Sequence, residues 1–301
     1  MKKAVVTGGA GFIGSHLADA LLASGFEVHV VDNLSNGHKE DVPEGAVFHE
    51  LDILNRDALL PIFKDAHVVF HLAALPRVTF SIDHPVESHE ANIDGTFSVL
   101  LAARDAGVRR VVYGASSSAY GDQDRMPFTE DMKPNPLSLY GFQKFAGEEY
   151  ARLFFMNYGL PTVSLRFFSV YGPRMRPDGG YALAIPKFLA ERKAGNPLPI
   201  TGDGTQTRDF THVRDVVAAC MLAMEAETVG KGEVMNVCAG RNVSMNALAA
   251  LIGGDIGYVP TRPADAKDTY GDNARAKALL GWTPTVTLEE GIMELKQEHG
   301  I

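Results

Sequence analysis

Hydrophobic positions fall in short runs separated by polar, glycine-rich turns, and the runs alternate between two periods. Ala4-Val5-Val6 is an apolar run bounded by glycine, which predicts a buried strand of a parallel sheet. After Gly8, Gly11 and Gly14, the residues Ile13, Leu17, Ala20 and Leu21 return at helical spacing. This stretch therefore reads strand, glycine turn, helix. Further strands are predicted over Glu27–Asp32, 46–53, 67–74, 109–116 and 161–170, with helices at 55–63, 85–106 and 138–158 between them. The second of these helices carries Val86, Ala91, Ile93, Phe97, Leu100 and Leu101 at its period.

Strand and helix alternate regularly over the first 170 residues, which predicts an α/β fold with a Rossmann-type doubly wound parallel sheet. Beyond Tyr171 the alternation breaks. A Pro/Gly/Arg loop is expected over 172–180, a helix over 184–194, a short strand over 198–203 and a helix over 212–224. A strand at 232–237, a helix at 244–251, a loop-rich stretch to 272 and helices at 274–279 and 288–299 follow. Residues 1–170 are thus expected to bind a nucleotide, with segments near 205–225 returning to them. Residues 171–301 are expected to form mainly a smaller substrate-binding α/β domain over the sheet's carboxyl edge, where such folds take their ligands.

Composition narrows the class. With 301 residues, 46% hydrophobic and 22% charged, the chain suits an ordinary globular enzyme, and a formal net charge of −9 argues against a general nucleic-acid or anionic-membrane surface. No apolar run approaches a membrane span, and the first strand begins too early to leave room for a signal peptide. The two cysteines, Cys220 and Cys238, sit in apolar surroundings without metal spacing, which fits buried thiols in a reducing cytoplasm. The ten histidines are scattered without ligand spacing, so no metal site is expected.

The glycine turn carries the first candidate chemistry. Gly8 permits a tight turn, Gly11 lets backbone approach a pyrophosphate, and Gly14 lets the helix pack close to the strand. The helix N-terminus offers N–H groups and a partial positive charge to phosphates. A Gly-rich turn with no ligand would look similar. Asp32, closing the second strand eighteen residues after Gly14, favours the nucleotide: it can accept from ribose hydroxyls and would repel a 2′-phosphate, so NAD is expected over NADP. Asp52 and Ile53 end the third predicted strand where adenine would lie, and Ala73-Ala74 offers small side chains where a strand tip passes beneath a cofactor.

The second candidate group is Ser116, Tyr140 and Lys144. Tyr and Lys four apart share a helix face, and an ammonium near a phenol favours the phenolate, lowering its pKa from about 10. That makes a base able to take a proton from a sugar or alcohol hydroxyl as its carbon loses hydride, with Ser116 at a strand end holding the oxygen. The pair alone could equally be a surface helix pair. Its place after the fingerprint, the acidic strand end and the serine favours catalysis.

With these motifs in order, the chain resembles an extended short-chain dehydrogenase/reductase, and within that superfamily the nucleotide-sugar epimerases of the UDP-glucose 4-epimerase type. The resemblance spans nearly the whole chain. It rests on Thr7–His16, Asp32-Asn33-Leu34, Asp52-Ile53, His71–Ala74, Ser116–Gly121, Tyr140 to Lys144, Arg166–Arg174, Gly202–Phe210, Arg262–Asp265 and Leu280-Gly281-Trp282. It implies tightly bound NAD, with Phe12, Ile13, Asn33, Leu72 and Val170 added to the cofactor residues. It implies that Tyr140 deprotonates the sugar 4-hydroxyl as C4 gives hydride to NAD, that the 4-keto sugar turns over, and that hydride returns to its other face. Lys144 would tune Tyr140 and hold the nicotinamide ribose.

The resemblance also implies a UDP-sugar site of Ser116, Ser117, Ser169, Arg174, Arg208, Arg262 and Thr269, with Arg208 and Arg262 on the diphosphate. Arg174 and Arg176, in one Pro/Gly loop, are the weaker candidates, and a basic loop with no ligand would look the same. Related 4,6-dehydratases carry an Asp-Glu pair where Ser117 and Ser118 stand here, and C3/C5 epimerases a nearby Cys or further acid–base pair, so a 4-epimerase remains. A dehydratase, decarboxylase or 4-keto reductase on this scaffold is the alternative, and a non-enzymatic NAD-binding regulator a more distant one. Ser169 stands where relatives usually have Asn, and the small Thr269 leaves room for an N-acetyl group. Helices 85–106 and 138–158 have more apolar surface than one sheet face needs, and relatives pair them into a homodimer.

Overall fold

A computed structural model describes residues 1–177, 183–260 and 266–301; Arg262 and part of the 172–180 loop lie outside the described residues. The chain opens with β1 (Lys3–Thr7), α1 (Phe12–Ala23), β2 (Glu27–Asp32), β3 (Val47–Glu50), α2 (Arg56–Phe63) and β4 (Ala66–His71). It continues through α3 (Val78–Asp83), α4 (Pro85–His89), α5 (Gly95–Asp105), β5 (Val111–Ser116), α6 (Leu139–Tyr158), β6 (Thr162–Phe167) and β7 (Val170–Tyr171). Then come α7 (Ala184–Ala194), β8 (Leu198–Thr201), β9 (Thr207–Asp209), β10 (Thr211–His212), α8 (Val213–Glu225) and β11 (Lys231–Val237). The last elements are β12 (Asn242–Ser244), α9 (Met245–Ile252), β13 (Ile256–Val259), α10 (Ala274–Leu280) and α11 (Leu288–His299).

Seven strands form one parallel sheet in the order β11-β6-β5-β4-β1-β2-β3. The chain winds outward from β1 through β2 and β3, then crosses to β4 on its other side. That reversal opens a crevice at the carboxyl ends of β1 and β4, the place where doubly wound sheets bind ligands. Alternation within each strand feeds two layers. Ala4 and Val6 pack with Leu17 and Leu21 of α1 and Val216 and Cys220 of α8, while Val5 joins Leu59, Phe63, Val99 and Phe154 on the opposite face. A separate core of Ile185, Leu189, Ile200, Leu248 and Ile292 holds the C-terminal elements together. Both cysteines are buried and free.

The returning segments reach beyond the expected 205–225. Strand β11 completes the sheet, and Ala276, Leu280 and Trp282 join the α1/α8 core. The helix expected over 85–106 is not regular. A π turn at Glu90–Asp94 separates α4 from α5, because Asn92 turns inward: its amide accepts from Leu75 N and donates to Leu75 O and Gln143 Oε1. The third strand stops at Glu50 and the fourth at His71, so Asp52-Ile53 and Ala73-Ala74 lie in the turns that follow them. The strand expected over 161–170 breaks into β6 and β7 at Ser169, whose φ of 23° carries the chain out of the sheet. Helix α6 fits its prediction. Ser138 accepts from Gly141 N at its start, and Gly159 closes it at a φ of 69°.

Candidate active site

The glycine turn is built for a backbone-lined ligand site. Gly8 has a φ of 73°, and a Cβ there would lie 2.6 Å from Ala73 N; a Cβ on Gly14 would lie 2.1 Å from Gly8 O. Any side chain would push strand and helix apart. Gly11 starts α1 without a side-chain cap, so its first-turn N–H groups face the crevice without a side-chain acceptor. At the end of β2, Asp32 accepts Ala10 N at 3.0 Å and Leu34 N at 2.8 Å. Burial raises its carboxyl above the usual range, and those two N–H groups pull it back. Asn33 donates to Asp52 at 2.9 Å, tying the ends of β2 and β3 together.

These residues border one cleft of about 760 Å³ running along the carboxyl ends of the strands. Gly8, Gly11, Phe12, Ile13 and Gly14 line it together with Asp32, Asn33, Asp52 and Ile53. Leu72, Ala73 and Ala74 form its floor with Val170. Ser116, Ser117, Tyr140, Lys144, Ser169 and Arg208 line the remainder.

Ser116 ends β5, and its oxygen accepts from Ser118 N at 3.1 Å, capping the next turn. One helical turn separates Tyr140 from Lys144 at the start of α6. Lys144 is 5% exposed and donates to Gly114 O at 2.9 Å, with Nζ 5.0 Å from the Tyr113 ring centre. Burial lowers its pKa to about 8, against the raising effect of Glu148. The expected lowering of the Tyr140 phenol does not arise within the polypeptide alone. Burial pushes it up to about 12, and the hydrogen bond with Ser116 recovers only part of that. Desolvation of the phenolate is the largest cause, and the Lys144 ammonium is directed at Gly114 O.

Two expected substrate residues lie elsewhere. Arg174, at a φ of 66°, pairs with Asp19 of α1 at 2.7 Å and does not border the cleft. Thr269 is 9% exposed, off the cleft wall, with its hydroxyl buried and without a hydrogen-bond partner. Arg208 reaches the cleft while donating to Thr207 O and Lys267 O. Arg77 and Lys187, which no local motif marks, also line it, as does Gln206 of the Gly202–Phe210 stretch, which was not singled out from sequence. Arg176 lines it as well and reaches Asp41 at 2.9 Å. Among the described residues no group of three or more His, Cys, Asp or Glu side chains could hold a metal ion. No helix among them is long and apolar enough to cross a membrane.

Residues 4–238 match the model of the NAD dependent epimerase/dehydratase family. The chain belongs to this family. A UDP-glucose 4-epimerase of Mycolicibacterium smegmatis is 40% identical over 304 residues, covering 96% of each chain. The crystal structure of the Thermotoga maritima UDP-glucose 4-epimerase with UDP-glucose matches with a TM-score of 0.94 at 38% identity, over 99% of this chain and 98% of that one. A UDP-N-acetyl-alpha-D-glucosaminuronate decarboxylase of Bacillus cytotoxicus is 32% identical over 98% of this chain and 97% of its own length. Family members thus share a scaffold and differ in reaction. The cofactor of this family enzyme is NAD, and the residues present fit it: the uncapped start of α1 and the glycine cradle suit a pyrophosphate, and Asp32 suits unphosphorylated ribose.

Proposed function

We propose that this enzyme interconverts the C4 epimers of a UDP-hexose through a transient 4-keto sugar. The observation that carries the reading is the convergence of Ser116, Tyr140 and Lys144 on the same cleft as the glycine cradle and Asp32. When bound, NAD would supply the hydride acceptor, the donor on return, and a positive charge on its oxidised ring. Tyr140 takes the proton of the 4-hydroxyl and gives it back. A phenol pushed up to about 12 by burial is a reluctant base, and an ammonium one helical turn away, that of Lys144, favours its ionised form. Ser116 holds the 4-oxygen in line. Arg208, which reaches the cleft, would set its guanidinium charge against the diphosphate.

The UDP-glucose held by the Thermotoga relative supports a UDP-hexose substrate. Ser117 and Ser118 offer no second acid–base pair of the kind a dehydratase would need, which supports epimerisation over elimination. Val86, Phe97, Phe142 and Met156, exposed on α4, α5 and α6, support a homodimer through these helices; light scattering at micromolar concentration should return twice the chain mass. The reaction is tested by proton NMR of the purified protein with UDP-galactose and no added NAD. Growth of the UDP-glucose anomeric signal, lost in Tyr140→Phe, is expected. Untouched UDP-galactose, with NAD recoverable from the denatured protein, would refute the substrate assignment.

A further inference from the structure

Helix α6 carries a third polar side chain on the face of Tyr140 and Lys144, one turn further on. Glu148 is 1% exposed and does not itself line the cleft. Arg166 of β6 grips its carboxylate with two bonds, Nε to Oε1 at 2.9 Å and Nη2 to Oε2 at 2.7 Å. The guanidinium lies 4.5 Å from the Tyr120 ring centre, and Tyr120 in turn donates to Asn236 Oδ1 at 2.7 Å. The carboxylate is thus held in one place by a chain of side chains running to the sheet's edge. A buried ion pair is weak evidence of stability, since apolar residues of similar volume often serve as well. Its position below Lys144 calls for another account.

The groups around Lys144 can be named from each neighbouring element. From β5 come Gly114 O and the Tyr113 ring, from β4 the neutral His71, from α6 Tyr140 and Glu148, and from β6 Arg166 behind Glu148. The side chains presented nearby by the π turn and the start of α5, Asn92 and Thr96, are uncharged. Glu148 is the one carboxylate among them. We propose that Glu148, locked by Arg166, is a positioning residue for the reaction, supplying the negative charge that keeps Lys144 an ammonium beside Tyr140. This rests on the epimerase reading for its use in catalysis, though not for the charge relation itself.

Burial already brings the Lys144 ammonium to about 8, and Glu148 is the group opposing that fall. Without it, Lys144 would lose its proton within the working pH range and cease to favour the Tyr140 phenolate. The basic limb of the rate profile would then move to lower pH.

The test is an NMR titration of the Lys144 ε-carbon in ¹³C-lysine-labelled protein as purified, assigned by its loss in Lys144→Arg. Glu148→Gln should lower the Lys144 midpoint by about one pH unit or more, as expected for losing a charge one helical turn away. Glu148→Asp, which keeps the charge, should stay within about half a unit of wild type. Should the Gln variant fail to fold, Glu148→Met with Arg166→Leu replaces the whole pair by apolar groups and should shift the midpoint in the same direction, by less because the Arg166 cation leaves with the carboxylate. A midpoint within about 0.3 unit of wild type in either variant overturns the proposal, whatever happens to activity. A shifted midpoint in a protein inactive on every UDP-sugar upholds the charge relation and refutes the epimerase reading.

Discussion

His71 is wired so tightly that acid should loosen the fold through it. The ring is fully buried at the end of β4, with Nδ1 2.8 Å from Thr7 Oγ1 and Nε2 2.9 Å from Thr96 Oγ1. Thr96 donates its proton to Asn92 O, so it accepts from Nε2–H, and Nδ1 accepts from Thr7. This network suits a neutral ring carrying its proton on Nε2. Burial accordingly lowers its pKa to about 3 from 6.5. Between those values the unfolded chain binds a proton that the folded one does not, so stability falls as pH drops below 6.5. At about 1.4 kcal/mol per unit, His71 should remove about 2 kcal/mol of stability between pH 7.5 and pH 5. Other groups titrate over the same range: His212, lowered to about 4, adds to the loss, and Asp209, raised to about 7, opposes it. The comparison is therefore wild type against His71→Gln, whose amide cannot titrate. Urea unfolding can be followed through Trp282, the single tryptophan and buried at 1%. The stability advantage of wild type at pH 7.5 should shrink by about 2 kcal/mol at pH 5. An advantage constant to within about 0.5 kcal/mol would refute the buried neutral ring.

Three further outcomes follow from the site. Gly14→Val places atoms where a Cβ already meets Gly8 O at 2.1 Å, so purified protein should lose most of its NAD, measured by absorbance of the acid extract. Gly147→Ala drives a methyl to 2.2 Å from the Tyr113 hydroxyl beneath Lys144, which should destabilise by about 1–3 kcal/mol in urea melts and lower kcat. Arg174→Ala breaks a pair with Asp19 away from the cleft, so KM for the UDP-sugar should stay within about twofold of wild type, whereas Arg208→Ala should raise it by about tenfold or more.

Much of the fold is legible because local rules and tertiary packing agree. The β1–turn–α1 unit reads from glycine spacing, α6 from Ser138 and Gly159, and α11 from the Thr287–Glu290 capping box, each a signal within a few residues. What escaped depends on partners far along the chain. The π turn exists because Asn92 meets Leu75 and Gln143; Arg174 turns away because Asp19 lies 155 residues earlier; the β6–β7 break needs Ser169 in a left-handed conformation that no local residue demands. The site shows the same division. Ser116, Tyr140 and Lys144 follow from motif order, but the direction of the Tyr140 shift depends on burial, which spacing does not report. Glu148 repeats the four-residue spacing and was open to detection, yet its partner Arg166 sits on a strand 18 residues away.

The central claim is that the hydride leaving C4 returns to the same carbon. It is tested by converting UDP-galactose in deuterium oxide with the protein as purified and reading H4 of the product by proton NMR. Full retention of the C4 proton in UDP-glucose, with none exchanged for deuterium, is the predicted result. Deuterium at C4, or conversion that continues unchanged in Tyr140→Phe, would contradict it.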